Sequence, residues 1–124
     1  MSLPGDPIEG DVLVLVAAKA SVAPERLAPL VDTVQTHLED DAAAFQRRYE
    51  CAYETDGEAA FFVDDGFWEA VGTDLGLDGR EIDAVRRAHH EQLLRAGKRL
   101  DRREEFETAL DIRDCVILET PSTD

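Results

Sequence analysis

The chain has 124 residues and carries 28 acidic against 13 basic side chains, a formal net charge of −15. Its length fits one domain, which buries roughly 65–70% of its unfolded surface and needs no disulfide or metal to complete a core. No run of eighteen apolar residues would span a membrane, and no basic segment ahead of the first apolar stretch marks a secretory signal. The sequence therefore predicts a cytoplasmic chain with a flexible lead-in (residues 1–10), a single globular domain (residues 11–119) and a flexible tail (residues 120–124).

The first predicted elements are an ambiguous segment and a helix. Residues 11–20 open with an apolar run, Val12–Val16, that suits a strand buried on both sides, whereas the alanines that follow it would suit a helix. A helix is predicted from Pro24, because the N–H that proline lacks has no partner in a first turn. A short helix over residues 42–48 follows it. The apolar residues of the longer helix recur at spacings of three and four: Leu27, Leu30, Val31, Val34 and Leu38.

A β-hairpin is predicted at about residues 49–63. Two runs suited to strands flank Asp56–Gly57, the dipeptide that best supports a tight turn with positive φ. The aromatic spacing of Phe45, Tyr49 and Tyr53 leaves a helical alternative open for the first arm.

Two more helices are predicted after the hairpin. The first spans about residues 67–75, and the second opens at Asp78 with Glu81 in capping-box spacing. Gly97 is expected to end or interrupt the second helix, and residues 102–110 are expected to add a further helical turn or two. The predicted core face of the second helix consists of Ile82, Val85, His89, Leu93, Ala96 and Leu100.

These elements together predict an α+β fold. Three or four helices are expected to pack on a small, mainly antiparallel sheet that includes the hairpin and a short buried strand at residues 115–118. No internal repeat or linker divides the chain.

The composition resembles that of proteins from extreme halophiles. Carboxylates are abundant, alanine and valine are common, and only Lys19 and Lys98 are lysines, against eleven arginines. A dense carboxylate surface stays hydrated when salt screens other charges, and it repels itself when salt is low. This resemblance, to small uncharacterised acidic proteins of halophilic archaea, implies a protein that salt stabilises.

Residues 68–87, WEAVGTDLGLDGREIDAVRR, resemble a helix-turn-helix unit. The spacing of the apolar residues predicts two helices that pack against each other on either side of a turn at Gly76. A helical corner with no role in DNA binding would need the same spacing. A DNA-binding regulator would read bases with donors near the start of the second helix, and here these are Arg80 and Arg87. The carboxylates at the same end would be repelled by phosphate: Asp78, Glu81 and Asp83.

A basic island interrupts the acidic sequence between residues 86 and 104, where the net charge is +4 against −19 for the rest of the chain. Such an asymmetry suits a site for an anion or an acidic partner. The alternative, which we favour, is that its arginines pair with carboxylates nearby, as the spacing of Arg87, Glu91 and Arg95 and the glutamates after Arg103 would allow. The basic island consists of Arg86, Arg87, Arg95, Lys98, Arg99, Arg102 and Arg103.

Catalytic and metal-binding motifs are not evident. The histidines, among them His89 and His90, and the two cysteines lack the spacing of a metal site, so neither a metal nor a cofactor is predicted. Cys51 and Cys115 lie in apolar strand contexts and far apart, which predicts buried, reduced thiols without a disulfide.

Three classes of function remain, and no catalytic residue is predicted. The favoured one is a non-catalytic interaction or regulatory module that forms a homodimer through apolar surface on the hairpin and the last strand, with a further protein partner allowed. The second is a DNA-binding regulator that uses residues 68–87. The third is a small enzyme with a site near His89 and His90.

Overall fold

The computed structural model describes residues 8–55 and 57–119. Within these residues, six helices pack on a three-stranded antiparallel sheet, which confirms the predicted α+β fold with more helices than the three or four expected. The elements in chain order are α1 (Gly10–Ala20), α2 (Pro24–Glu39), α3 (Ala42–Arg48), β1 (Glu50–Thr55), β2 (Glu58–Val63), α4 (Phe67–Leu75), α5 (Gly79–Arg99), α6 (Arg103–Leu110) and β3 (Asp114–Glu119).

The ambiguous segment is a helix, α1, so the strand alternative for residues 11–20 is wrong. Its buried residues recur at helical spacing and face α2 and α5. Val14 and Leu15 point outward and are 59% and 40% exposed. Because these exposed residues are apolar, the sequence of α1 lacks the polar face that would indicate a helical period. The buried residues are Val12, Leu13, Val16 and Ala17.

The predicted lead-in overlaps the described chain only at residues 8–10, of which Ile8 is packed. Ile8 is 1% exposed and belongs to the core, and Glu9 is the N-cap of α1. The packed domain therefore extends at least to Ile8. Residues 1–7 of the lead-in and the predicted tail, residues 120–124, lie outside the described part of the chain.

The long helix α5 is the centre of the fold and packs against α1, α2, α4, α6 and β3. The predicted capping box is confirmed: the Asp78 carboxylate accepts from the Glu81 N–H, and the Glu81 carboxylate accepts from the Asp78 N–H. The helix continues through Gly97, where a break was expected. A Cβ at this position would lie 2.8 Å from the Phe106 ring, so the glycine permits close approach of α6. Leu100, predicted on the core face, lies past the helix end and is 41% exposed.

The predicted hairpin consists of β1 and β2. Thr55 pairs with Glu58, which leaves a two-residue connection whose second residue, Gly57, has φ +129°. Asp56 of the same turn is outside the described residues. Residues Glu50–Thr55 form strand β1, so the helical alternative for the first arm of the hairpin is wrong after the end of α3. A bulge interrupts the pairing at Ala52.

The strand β3 pairs with β2, and its residues 114–118 are buried, as predicted for the last strand. Its outer edge is closed by three side chains, which we call the β3 edge cover. The Trp68 indole N–H donates to the Cys115 carbonyl at 3.1 Å, and the Ile117 N–H donates to His89 Nδ1 at 2.9 Å. Gln35 Nε2 donates to the Ile117 carbonyl at 2.6 Å, and Gln35 Oε1 accepts from the Glu119 N–H at 3.3 Å. Backbone groups that an edge strand leaves unpaired are thus satisfied from α2, α4 and α5.

Among residues 8–55 and 57–119, no helix combines the length and the apolar composition that crossing a membrane requires.

Candidate functional site

Part of the basic island holds the start of α1 against α5. Arg99 donates to both carboxylate oxygens of Glu9, at 2.6 and 2.8 Å, and Arg95 pairs with Asp11. The buried side chain of Gln92 completes the contact, because its carbonyl accepts from the Glu9 N–H and its amide donates to the Glu9 carboxylate. The hydrogen bond from Arg99 lowers the pKa of Glu9. These arginines therefore serve an internal junction.

The other arginines of the island also have carboxylate partners. Arg86 and Arg87 share Asp83, whereas the expected partner on this helix, Glu91, is not used. Lys98 is exposed and forms no ion pair with any described residue. The local pairing predicted near the α6 start is confirmed, in Arg102–Glu105 at 2.6 Å and Arg103–Glu107 at 2.7 Å. The island consequently presents little unpaired positive charge.

Reversing the charge of Arg95 tests whether the basic island contacts a partner in addition to forming ion pairs within the chain. The carboxylate of Asp11 is largely exposed, and exposed pairs contribute little, so we expect Arg95→Glu to keep its melting temperature within about 3 °C of the original chain. The size-exclusion mass should also be unchanged. Arg47→Glu is the matched control, because Arg47 is exposed and has no ion pair within the described residues. A loss of association in Arg95→Glu alone would identify the island as a contact surface.

The segment 68–87 does form a helical corner. Helices α4 and α5 are joined by residues 76–78, and a Cβ on Gly72 would lie 3.1 Å from Ile82, so glycine permits their close contact. Of the two donors that DNA reading would use, Arg80 is exposed without an ion pair in the described chain, and Arg87 is neutralised by Asp83 at 2.7 Å.

His89 is a fully buried, neutral histidine. Its Nδ1 accepts the Ile117 N–H, so the ring proton lies on Nε2, and burial lowers the pKa of His89 to about 3. No acceptor for Nε2 is present among the residues that the structure describes. The ring packs against Trp68 with centroids 4.8 Å apart. Its role within the fold is to close the β3 edge.

His90, the neighbouring histidine, belongs to a polar cluster with Asp114 and Arg86. Asp114 Oδ1 lies 2.6 Å from His90 Nε2 and accepts from Arg86 Nε at 2.9 Å. Burial lowers the pKa of His90, and the hydrogen bond to Asp114 opposes that shift. A cleft of about 340 Å³ lies beside this cluster and is lined in part by Arg86 and Asp114. Sequence reasoning missed Asp114, for which the available signal was a carboxylate at the start of an apolar run.

The two cysteines differ in exposure. Cys115 is buried, as predicted, and burial raises the pKa of its thiol. Cys51 is exposed on the edge strand β1, so the prediction that it is buried is wrong. Partial burial nevertheless raises the pKa of Cys51. Both thiols are free, and no cluster of His, Cys, Asp or Glu within the described ranges could hold a metal ion.

An aromatic cavity of about 440 Å³ lies between α2, α3 and α4. Its wall is a cluster of Phe45, Tyr49 and Phe67, whose ring centroids are 5.4 to 6.2 Å apart. This volume is typical of ligand sites, which are concave and mostly apolar with a few polar groups. The polar residues of the lining are His37, Asp41, Arg48, Asp64 and Asp74.

Sequence reasoning missed this cavity. In the sequence, the spacing of Phe45 and Tyr49 indicates only a helical pattern, and Phe67 lies only at a predicted helix start. The contact of Phe67 with Phe45 and Tyr49 depends on how α4 packs beside α3, and no local sequence pattern indicates that packing.

The fold and this cavity define a small α+β domain with an aromatic cleft between helices. The chain belongs to the family described as domain of unknown function (DUF8048), whose profile matches residues 6–120. Comparison with curated proteins and with solved structures gives no match.

Proposed function

We propose that the protein is a non-catalytic interaction module whose partner site is the aromatic cavity. The observation that carries this proposal is the gathering of unengaged polar groups there. Within the described chain, the side chains of Asp41, Asp64 and Arg48 and the hydroxyl of Tyr49 make no hydrogen bond or ion pair. A concave surface that combines aromatic rings with unengaged polar groups suits the binding of a partner.

The remaining chemistry-bearing residues support a non-catalytic role. His89 is neutral and closes a strand edge, and His90 is held by Asp114, which is also engaged with Arg86. An enzyme acting near His89 and His90 is the alternative: the contact with Asp114 engages only Nε2 of His90, which leaves His90 Nδ1 as the nitrogen that a general base would use.

Origin in a halophile and a cytoplasmic location belong to the same proposal and rest on composition, whereas homodimer formation rests on the apolar surface expected on the hairpin and the last strand. The apolar surface first expected for the dimer is not offered by β3, because that strand is buried within the chain itself. Sedimentation at several protein concentrations would measure the association.

DNA binding stays as a second candidate because residues 68–87 form a helical corner in which α4 and α5 are joined by residues 76–78. We expect no sequence-selective binding, since Asp78, Glu81 and Asp83 surround the start of α5 and Arg87 is paired. Selection from random duplexes in high salt is the measurement. A recovered consensus that Arg80→Ala weakens by about 1–3 kcal/mol would contradict this expectation.

The partner site is tested with a neutral aromatic probe. Indole titrated into ¹⁵N-labelled protein should shift amide resonances of α3, α4 and the end of α2. Ala70→Phe should abolish these shifts by filling the cavity, since Ala70 lines it and is itself exposed. Ala18→Phe is the matched control on the exposed face of α1 and should leave the shifts intact. Shifts that are absent, or that map outside the cavity, would overturn the proposal.

A further inference from the structure

The aromatic cavity carries an excess of negative charge. Three carboxylates line it, from Asp41, Asp64 and Asp74, against one guanidinium, from Arg48. Asp74 lies 3.8 Å from His37 and is paired only when that histidine is protonated. A cation that enters the cavity gains more attraction than an anion does.

Two aromatic rings elsewhere in the described chain are covered by the protein's own arginines. The Arg102 guanidinium lies 4.7 Å from the centroid of Phe106, and that of Arg113 lies 4.5 Å from the centroid of Phe62. Tyr49 and Phe67 are half-buried, and no described cation lies over either ring. The aromatic cavity therefore offers aromatic rings of the kind that arginines cover elsewhere, but no cation of the described chain lies over Tyr49 or Phe67.

We infer that the occupant of the aromatic cavity is an arginine side chain of a partner protein; the inference rests on the proposed function. A guanidinium is weakly hydrated and planar, so it stacks on aromatic rings more readily than an ammonium and also donates to carboxylates. The Tyr49 and Phe67 rings are perpendicular, so the guanidinium plane would stack on the face of one of them, and Asp41 and Asp64 would accept from its N–H groups. The cavity volume leaves room for the methylene stem.

The inference is tested with two probes of nearly equal shape. Acetyl-arginine N-methylamide carries the cation, and acetyl-citrulline N-methylamide is its neutral counterpart. Titrations followed by amide shifts should give an affinity at least about fivefold higher for the arginine probe, and higher than for the lysine analogue. Asp64→Asn and Tyr49→Leu should each reduce arginine binding toward the citrulline level. Asp101→Asn, which alters an exposed carboxylate outside the cavity, should not.

The outcomes separate this inference from the function on which it rests. Equal binding of the arginine and citrulline probes, or stronger binding of the lysine analogue, would overturn the assignment to arginine. If indole still binds in the aromatic cavity, the proposed partner site stands. Failure of indole and of every amino-acid probe overturns both. A wild-type dimer that Asp64→Asn dissociates would make the occupant an arginine of a second copy and overturn the assignment to a different partner.

Discussion

Replacing Gln35 with leucine is expected to lower the free energy of unfolding by about 2–4 kcal/mol, although leucine is the more apolar residue. Gln35 is 4% exposed and is bonded to two backbone groups of β3, the Ile117 carbonyl and the Glu119 N–H. Leucine can replace neither bond, and the Ile117 carbonyl would stay buried without a partner. Each unsatisfied group of this kind costs about 1–3 kcal/mol.

Gln46→Leu is the control for this substitution, because Gln46 is an exposed residue of α3. Its stability should stay within about 0.5 kcal/mol of the original chain. Both variants are compared by urea unfolding monitored through tryptophan fluorescence. Equal stability of the two variants would mean that the β3 edge does not depend on its side-chain cover.

Salt should have the other large effect. Between about 0.1 M and 2 M KCl, the melting temperature is expected to rise by about 10 °C or more. The net charge of −15 opposes the compact state, and the screening length falls from about 10 Å at 0.1 M to about 3 Å at 1 M. Screening also weakens ion pairs such as Arg99–Glu9, but exposed pairs contribute little individually.

A variant with fewer charges separates repulsion from general salt effects on hydration. Its four substitutions alter exposed carboxylates without ion pairs in the described chain and change the net charge to −11. Because repulsion scales with the square of the charge, the salt-induced rise should shrink to roughly half. A flat melting temperature in the original chain would reject the halophile proposal. The substitutions are Glu39→Gln, Asp40→Asn, Glu104→Gln and Asp111→Asn.

Much of the fold follows from patterns that are local in the sequence. The stripe of α2, the capping box at Asp78 and the turn before Gly57 each require only neighbouring residues, and each was predicted. The errors arise where packing decides. Gly97 looked like a helix end but serves the approach of α6, and Cys51 looked buried because its strand was not known to be an edge.

The candidate site was less accessible to sequence reasoning for the same reason. The arginines of the basic island were expected to pair with carboxylates nearby in the sequence, yet Arg95 and Arg99 find their partners more than eighty residues away, at Asp11 and Glu9. The aromatic cavity has walls from three helices, and no spacing along the chain brings Tyr49 to Phe67. Local rules therefore identified helices and turns but could not identify the surface between them.

The closed edge of β3 has a consequence for the order in which the domain is made. The strand is the last of the nine described elements to be synthesised, and it supplies the partners of Gln35, His89 and Trp68 from three earlier helices. Until β3 emerges from the ribosome, those buried polar groups lack their acceptors and donors, and β2 lacks one neighbour. Contacts between such distant parts of the chain carry a cost in loop-closure entropy and cannot form before both parts are present. We therefore expect the domain to complete its fold only after β3 has been synthesised.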